Sequence, residues 1–302
     1  MSPPPEVNRP QTSQGVIHDL GYRPYDGPRQ AEGQIALAMF VTGLRNAFGL
    51  GRSGKSKLLP FILLGLNLLP ALIIVAIMVF TRLEELPISY AAYAGQTQML
   101  LSVFAAAQAP ILFSRDLRHG SIVLYLARPL RSATYALMRW CSLTAALLIF
   151  LLTPILVLLL GAVLSEADLS DQLIEAGLAV LVAALLAGML ASVTGVISAW
   201  STRRGFGVVA SIAVLLFGYG AVAAVQSIAY DQAADRIGEY AGLLAPYALY
   251  RGISASVIDS SVDAITPPQG ALMEAAYVGV ALLIVVGGIG LLLWRYRRAA
   301  AR

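Results

Sequence analysis

The sequence predicts an all-α, polytopic membrane protein with six transmembrane helices. Composition is the first observation: 58% of the 302 residues are hydrophobic and 13% are charged, about half the charged share of an ordinary soluble domain. Mean hydropathy is +0.74. The second is a set of six stretches without Asp, Glu, Lys, Arg or His: residues 58–80, 91–113, 140–164, 176–200, 205–229 and 275–294. Each matches the roughly 20 residues that cross a ~30 Å hydrocarbon core. A charge placed mid-span would cost about 2.5–3.5 kcal/mol. The third is the side on which basic residues fall. With the N-terminus inside, 18 Lys and Arg lie in inner segments, and only Arg82, Arg236 and Arg251 lie outside. The acids divide the other way, with 5 inside and 12 outside. The positive-inside rule then places both termini in the cytoplasm.

The chain reads as a cytoplasmic extension (1–30), an amphipathic helix with a basic hinge (31–57) and a six-helix membrane domain (58–302). Residues 1–30 are polar and proline-rich, with no apolar run after an early basic region, so no secretory signal peptide is expected. Their first part is expected to be disordered. From Gly15 to Arg29 the anchors Val16, Ile17, Leu20, Tyr22 and Tyr25 suggest an extended peptide laid on a cytoplasmic surface. Ala31–Phe48 reads as a helix lying on the inner leaflet. Leu37, Phe40, Val41, Leu44 and Phe48 share one face by 3/4 spacing, opposite Gln34, Thr42, Arg45 and Asn46.

The next run, Gly49-Leu50-Gly51-Arg52-Ser53-Gly54-Lys55-Ser56, satisfies GxxxxGK[ST] letter for letter. A P-loop needs a buried strand before it and a soluble sheet around it, and neither is legible. The run reads instead as a basic hinge whose Arg52, Lys55 and Lys57 meet anionic headgroups.

Pro70, Pro110 and Pro154 fall inside spans, where neighbouring helices must satisfy the carbonyls they free. The four-residue turn 201–204 makes the fourth and fifth spans antiparallel neighbours. Ala184, Gly188 and Ser192, at fourfold spacing, mark helix packing. The long outer connection 230–274 contains an apolar piece, 240–250, too short to span; one or two short helices capping the outer mouth are expected there. Cys141, the one cysteine, excludes an internal disulfide and reads as a small buried hydrophobe. No metal-ligand cluster or nucleophile elbow is present. The absence of ionisable groups from the spans argues against a proton- or sodium-driven carrier, so energy must come from outside the chain.

Between the second and third spans lies the longest basic interruption, Phe113–Trp140, with Arg115, Arg118, Arg128, Arg131 and Arg139. It contains Arg115-Asp116-Leu117-Arg118-His119-Gly120-Ser121, then Ile122–Leu126, then Arg128-Pro129-Leu130-Arg131. This pattern, with six spans, cytoplasmic ends and an amphipathic helix before the first span, resembles permease subunits of the bacterial type-2 ABC exporter class. Those permeases carry here an acidic–basic run, a Gly-Thr pair, an apolar helix, and a proline followed by a basic residue. Asp116 falls where they often have glutamate. Arg118 stands where a second acid is common, and Ser121 replaces threonine. The resemblance covers about residues 31–302, and Gly15–Lys57 also resembles one branch of bacterial ABC permeases.

The resemblance implies a cytoplasmic coupling helix near 120–127 that seats in a cleft of a separate ABC ATPase. Gly120 would permit a sharp entry and Pro129 would end the helix. It also implies two ATPase copies that bind the ATP and Mg, a second, identical permease, surrounding lipid, no nucleic acid, and a place in the bacterial inner membrane. The interface residues it implies are Arg115, Asp116, Arg118, Gly120, Ser121, Leu124, Arg128, Pro129 and Arg131. In the family, spans two and five tend to line the dimer interface. The polar exceptions there, Gln96, Gln98, Gln108, Tyr219 and Gln226, are candidates for a substrate pathway or for interhelical hydrogen bonds.

The expected function is export of a lipophilic or amphipathic substrate, such as a drug, lipid or peptide, with no catalytic or cofactor site in this chain. Two alternatives stand beside it. One is a membrane anchor or sensor that recruits a cytoplasmic partner without transport; the other is an intramembrane enzyme, weakened by the missing catalytic set.

Overall fold

The computed structural model describes residues 27, 31–51, 54–81, 86–122, 125, 130–165, 168–201, 203–258 and 264–300. The expectations for Gly15–Arg29, Arg52, Leu124, Arg128 and Pro129 lie outside the described residues. The chain divides into two units, Met1–Ala31 and Glu32–Arg302. Of the first, only Gly27 and Ala31 are described.

The second unit is helical, with no strand among the described residues. A short helix α1 (Glu32–Ala47) precedes α2 (Gly54–Thr81). A two-turn helix α3 (Tyr90–Gln96) leads into α4 (Gln98–Arg118). Then come α5 (Ser132–Leu164), α6 (Leu169–Trp200) and α7 (Arg204–Asp231). Two short helices, α8 (Asp235–Gly242) and α9 (Pro246–Ile258), precede the terminal α10 (Ala271–Ala300). Six of these, α2, α4, α5, α6, α7 and α10, are long and apolar enough to cross a membrane. The chain is a multi-pass membrane protein by that architecture. Helices α4 and α6 are mostly enclosed, whereas α2, α7 and α10 turn long apolar rows outward, as helices facing hydrocarbon do.

Several element ends differ from the sequence expectation. The second span begins at Gln98, because the helix breaks at Thr97 and α3 forms a separate piece. Residues from α9 accept that break. Tyr250 donates to Ala91 O at 2.8 Å, Arg251 Nη2 donates to Gly95 O at 3.3 Å, and Tyr247 donates to Gln98 O at 3.0 Å. Burial raises both phenols' pKa above the ordinary value, so both stay protonated as donors. Helix α5 starts at Ser132, eight residues before the expected Trp140, and thereby takes Arg139 into the helix. Helix α6 starts at Leu169 and includes Asp171 and Glu175. Asp168 caps it, accepting from Ser170 N at 3.0 Å and Ser170 Oγ at 2.6 Å, and these bonds lower its pKa.

The prolines are matched by donors from neighbours. Pro154 has no N–H to give Phe150 O, and Asn67 Nδ2 of α2 donates there instead at 2.9 Å. Near Pro70, the Tyr93 hydroxyl inserts into the ladder of α2. It donates to Asn67 O and accepts from Ala71 N at 3.2 Å. Two helices widen by one residue. The Arg115 N–H reaches back five residues to Pro110 O in α4, and the Gly218 N–H reaches Ala213 O in α7; both are π turns.

Helix α1 buries only part of the face its large apolar residues mark: Phe48, just past its end, is buried and Leu44 half-buried against the core. Met39, Gly43 and Ala47 are buried against α5, while Leu37 is 63% and Val41 42% exposed. Small residues win because they let backbones approach. A Cβ on Gly43 would stand 2.3 Å from Ser142 Oγ. Ser142 Oγ lies 3.0 Å from Phe40 O, and Thr134 Oγ1 donates to Glu32 Oε1 at 3.0 Å. The same logic joins α6 to its neighbours. Gly188 packs against Val285 and Trp140, and Ser192 Oγ accepts from Trp140 Nε1 at 3.0 Å and lies 3.2 Å from Val285 O.

Candidate functional site

The site is built where α4 ends. Its π turn is closed by Ser114 Oγ donating to Pro110 O at 2.9 Å, and one further turn carries Arg115–Arg118. Asp116 points inward from that turn and is 4% exposed. Tyr135 and Arg139, one turn apart on α5, meet it. The Tyr135 hydroxyl donates to Asp116 Oδ2 at 2.5 Å, and Arg139 Nη2 donates to the same oxygen at 2.8 Å. Ser121 Oγ approaches Oδ1 at 3.4 Å, and Arg115 Nε stands 3.6 Å from it. Among the described residues, the only ion pairs are these two of Asp116.

Aromatic rings enclose the pair. The Arg139 guanidinium lies 5.1 Å from the Tyr135 ring centre and 6.0 Å from that of Tyr125, within cation–π range. Tyr135 packs on Tyr296 of α10 at 5.2 Å between ring centres, and the Tyr296 hydroxyl donates to Phe113 O at 2.6 Å. The cluster therefore joins α4, α5, α10 and the segment that follows α4. Arg139 Nε is buried with no hydrogen-bond partner among the described residues. A buried ion pair at the end of membrane-spanning helices is costly to build, and ionisable groups in such places usually serve function.

Of the residues expected in the loop, Arg115, Asp116 and Ser121 come together, and Arg118 stays exposed beside them. Arg118 Nε donates to Ser114 O at 3.3 Å. Gly120 has φ +68, a conformation that favours glycine, and reverses the chain just after α4. Ile122 and Tyr125 are helical. Arg131 is exposed and extended at the entry to α5.

The five expected pathway residues do not converge. Gln96 is exposed. Gln98 sits near Tyr247, its Oε1 buried and unpaired among the described residues. Tyr219 meets the Tyr247 ring edge-on at 6.0 Å, beneath Arg251 at 5.5 Å. Gln226 donates to Gly238 O at 3.2 Å and Thr266 Oγ1 at 2.9 Å, fastening α8 to the connection before α10. Gln108 is buried midway along α4 and lines a pocket described below.

Tyr135, Arg139, Tyr125 and Tyr296 were not picked out as site residues by sequence. The available signal was Arg139 itself, a cation four residues after a tyrosine on the edge of an apolar run. The Gly49–Ser56 run joins helix α1 to helix α2, so no strand precedes it as a phosphate cradle would need. Among the described residues no cluster of three or more His, Cys, Asp or Glu could hold a metal ion. Cys141 is half-buried on α5. No family model matches the chain, and comparison with curated proteins returns no match.

Proposed function

We propose that this chain is the membrane-spanning permease subunit of an ATP-driven exporter of the type-2 ABC class, moving a lipophilic or amphipathic substrate. In this reading it works as a pair of permeases with two separate ATPase subunits that bind ATP and Mg. Both termini face the cytoplasm, α1 lies at the inner membrane surface, and α8 and α9 cap the outer side. The exposed Leu37 and Val41 on α1 support the interfacial placement. The observation that carries the proposal is the Asp116 node. A segment following α4 is tied through one carboxylate to α5, and through Tyr135 and Tyr296 to α10. A push delivered to residues 115–131 by a closing ATPase would reach three spans at once instead of bending a loose loop.

The test is to co-express the chain with a candidate ABC ATPase from its own genome and measure hydrolysis by the purified complex. Arg118→Ala with Arg131→Ala alters partly exposed groups outside the node, so the fold should persist while the ATPase rate changes several-fold. Asp116→Ala with Arg118→Ala should change it further. An ATPase rate indifferent to both double variants, in complexes that remain assembled, would overturn the interface. Transport in vesicles that persists with an ATPase-dead partner would overturn the exporter reading as a whole.

A further inference from the structure

Where α1 ends and α2 begins, a pocket of about 460 Å³ opens against α4 and α7. Asn46, Lys55, Gln108 and Arg204 supply its polar lining, and Leu59, Pro60 and Ile111 supply an apolar ledge. It is made where the two-glycine turn folds back. Gly49 has φ +68 and Gly51 φ +81, and a Cβ on Gly49 would stand 2.3 Å from Ser56 O. That turn brings the first residues of α2 beside the first residue of α7.

Three features of this pocket point to one ligand chemistry. Lys55 and Arg204 have no carboxylate within ion-pair distance among the described residues, so two cations face the pocket without an internal counter-ion. Gln108 is 3% exposed, and its carboxamide has no hydrogen-bond partner among the described residues. Its place on the pocket wall leaves it available to a ligand. The N-terminus of α2, at Gly54–Ser56, adds the positive end of a helix dipole.

Two cations, side-chain amides and a helix N-terminus suit an oxyanion with several acceptor oxygens. The ledge of Leu59, Pro60 and Ile111 suits the hydrocarbon attached to it. The pocket lies at the first turns of two candidate spans, α2 and α7, against the middle of α4, and its cations stand at those span ends, where a bilayer presents headgroups. We infer that it binds the phosphate headgroup of an anionic membrane lipid. Lys55 and Arg204 neutralise the phosphate, Gln108 and Asn46 donate to its oxygens, and the glycerol and upper acyl chain lie on the ledge. The inference rests on the membrane setting and not on the exporter reading.

The purified full-length chain in neutral detergent tests it without any ATPase. Binding of dioctanoyl phosphatidic acid and dioctanoyl phosphatidylcholine is measured by native mass spectrometry alongside the melting temperature. Phosphatidic acid should bind at least about tenfold more tightly, two cations each contributing roughly fivefold. Lys55→Gln and Arg204→Gln should each remove about fivefold of that preference. Gln108→Leu should weaken phosphatidic acid binding while leaving the melting temperature unchanged or higher, because it removes an unpaired buried amide. Equal binding of the two lipids, or a preference untouched by both charge substitutions, would overturn the site. A Gln108→Leu protein that melts lower with its lipid binding intact would assign that side chain to the fold alone and remove it from the site. Full displacement of the lipid by inorganic phosphate at equal concentration would assign the pocket to free phosphate instead.

Discussion

At the Arg118 end of α4, groups from α5, the following segment and α4 itself converge on one carboxylate. At the Gln98 end, tyrosines tie the helices one acceptor at a time. Tyr250 takes Ala91 O, Tyr247 takes Gln98 O, Tyr93 takes Asn67 O, and Tyr90 takes Gln172 Oε1 at 2.6 Å. The second arrangement is distributed, because each bond has its own acceptor and losing one leaves the others intact. The first is a node: removing one member strands the rest in a place where water cannot replace it. An end that must stay put is well served by many independent ties. An end that moves as a unit is better served by a single shared one.

The comparison can be broken most severely at Arg139. Arg139→Met leaves the buried Asp116 only the partly exposed Arg115, 3.6 Å away, as a counter-ion and should cost about 3 kcal/mol, read as a fall in unfolding free energy in micelles. Adding Asp116→Asn to it should recover much of that loss, since the stranded charge goes with it. If the double variant is as unstable as the two single losses added together, the node is not a coupled unit. An intermediate effect is expected at Asn67. Asn67→Leu leaves Phe150 O only the Thr153 hydroxyl, 3.2 Å away and shared with Ile149 O, and should cost about 1–2 kcal/mol. In a Pro154→Ala background the same change should cost less, because residue 154 then donates to Phe150 O within the helix. At the distributed end, Tyr90→Phe and Tyr247→Phe should each cost about 1 kcal/mol. Their effects should add to within roughly 0.5 kcal/mol, as they share no partner. Strong non-additivity there would erase the contrast.

The six spans were legible because charge is nearly forbidden in hydrocarbon, and the empty stretches report that prohibition directly. Their ends were not legible in the same way. Helix α5 runs on to Ser132 because a buried Asp116 accepts Arg139, and a partner 23 residues away leaves no local mark. The break at Thr97 was hidden for a similar reason. The sequence 91–113 is uniformly uncharged, and the donors that make a break tolerable come from α9, more than 150 residues later. In α1 the hydrophobic stripe and the packing face overlap only in part, at Leu44 and Phe48. Size drew the reading to Leu37 and Val41, whereas the close approach to Ser142 selected Gly43. The loop from Arg115 to Arg131 stood out by charge alone, but its inward anchor, the Tyr135–Arg139 pair, was disguised as the start of an ordinary apolar helix.

The widened turn at Pro110–Ser114 gives this geometry an arithmetic vulnerability. A π turn is a single inserted residue that an α-helix has absorbed without breaking. Everything after it is rotated by about 100° relative to an uninterrupted helix. Asp116 lies just beyond that insertion, so its aim at Arg139 depends on the turn staying wide. Were the turn to close into regular α-helix with all its residues kept, the carboxylate would swing about 100° around the axis, with every residue of the pair still present; removing Ile111 as well would cancel that swing. For this helix, the width of one turn is as much a part of the site as side-chain identity.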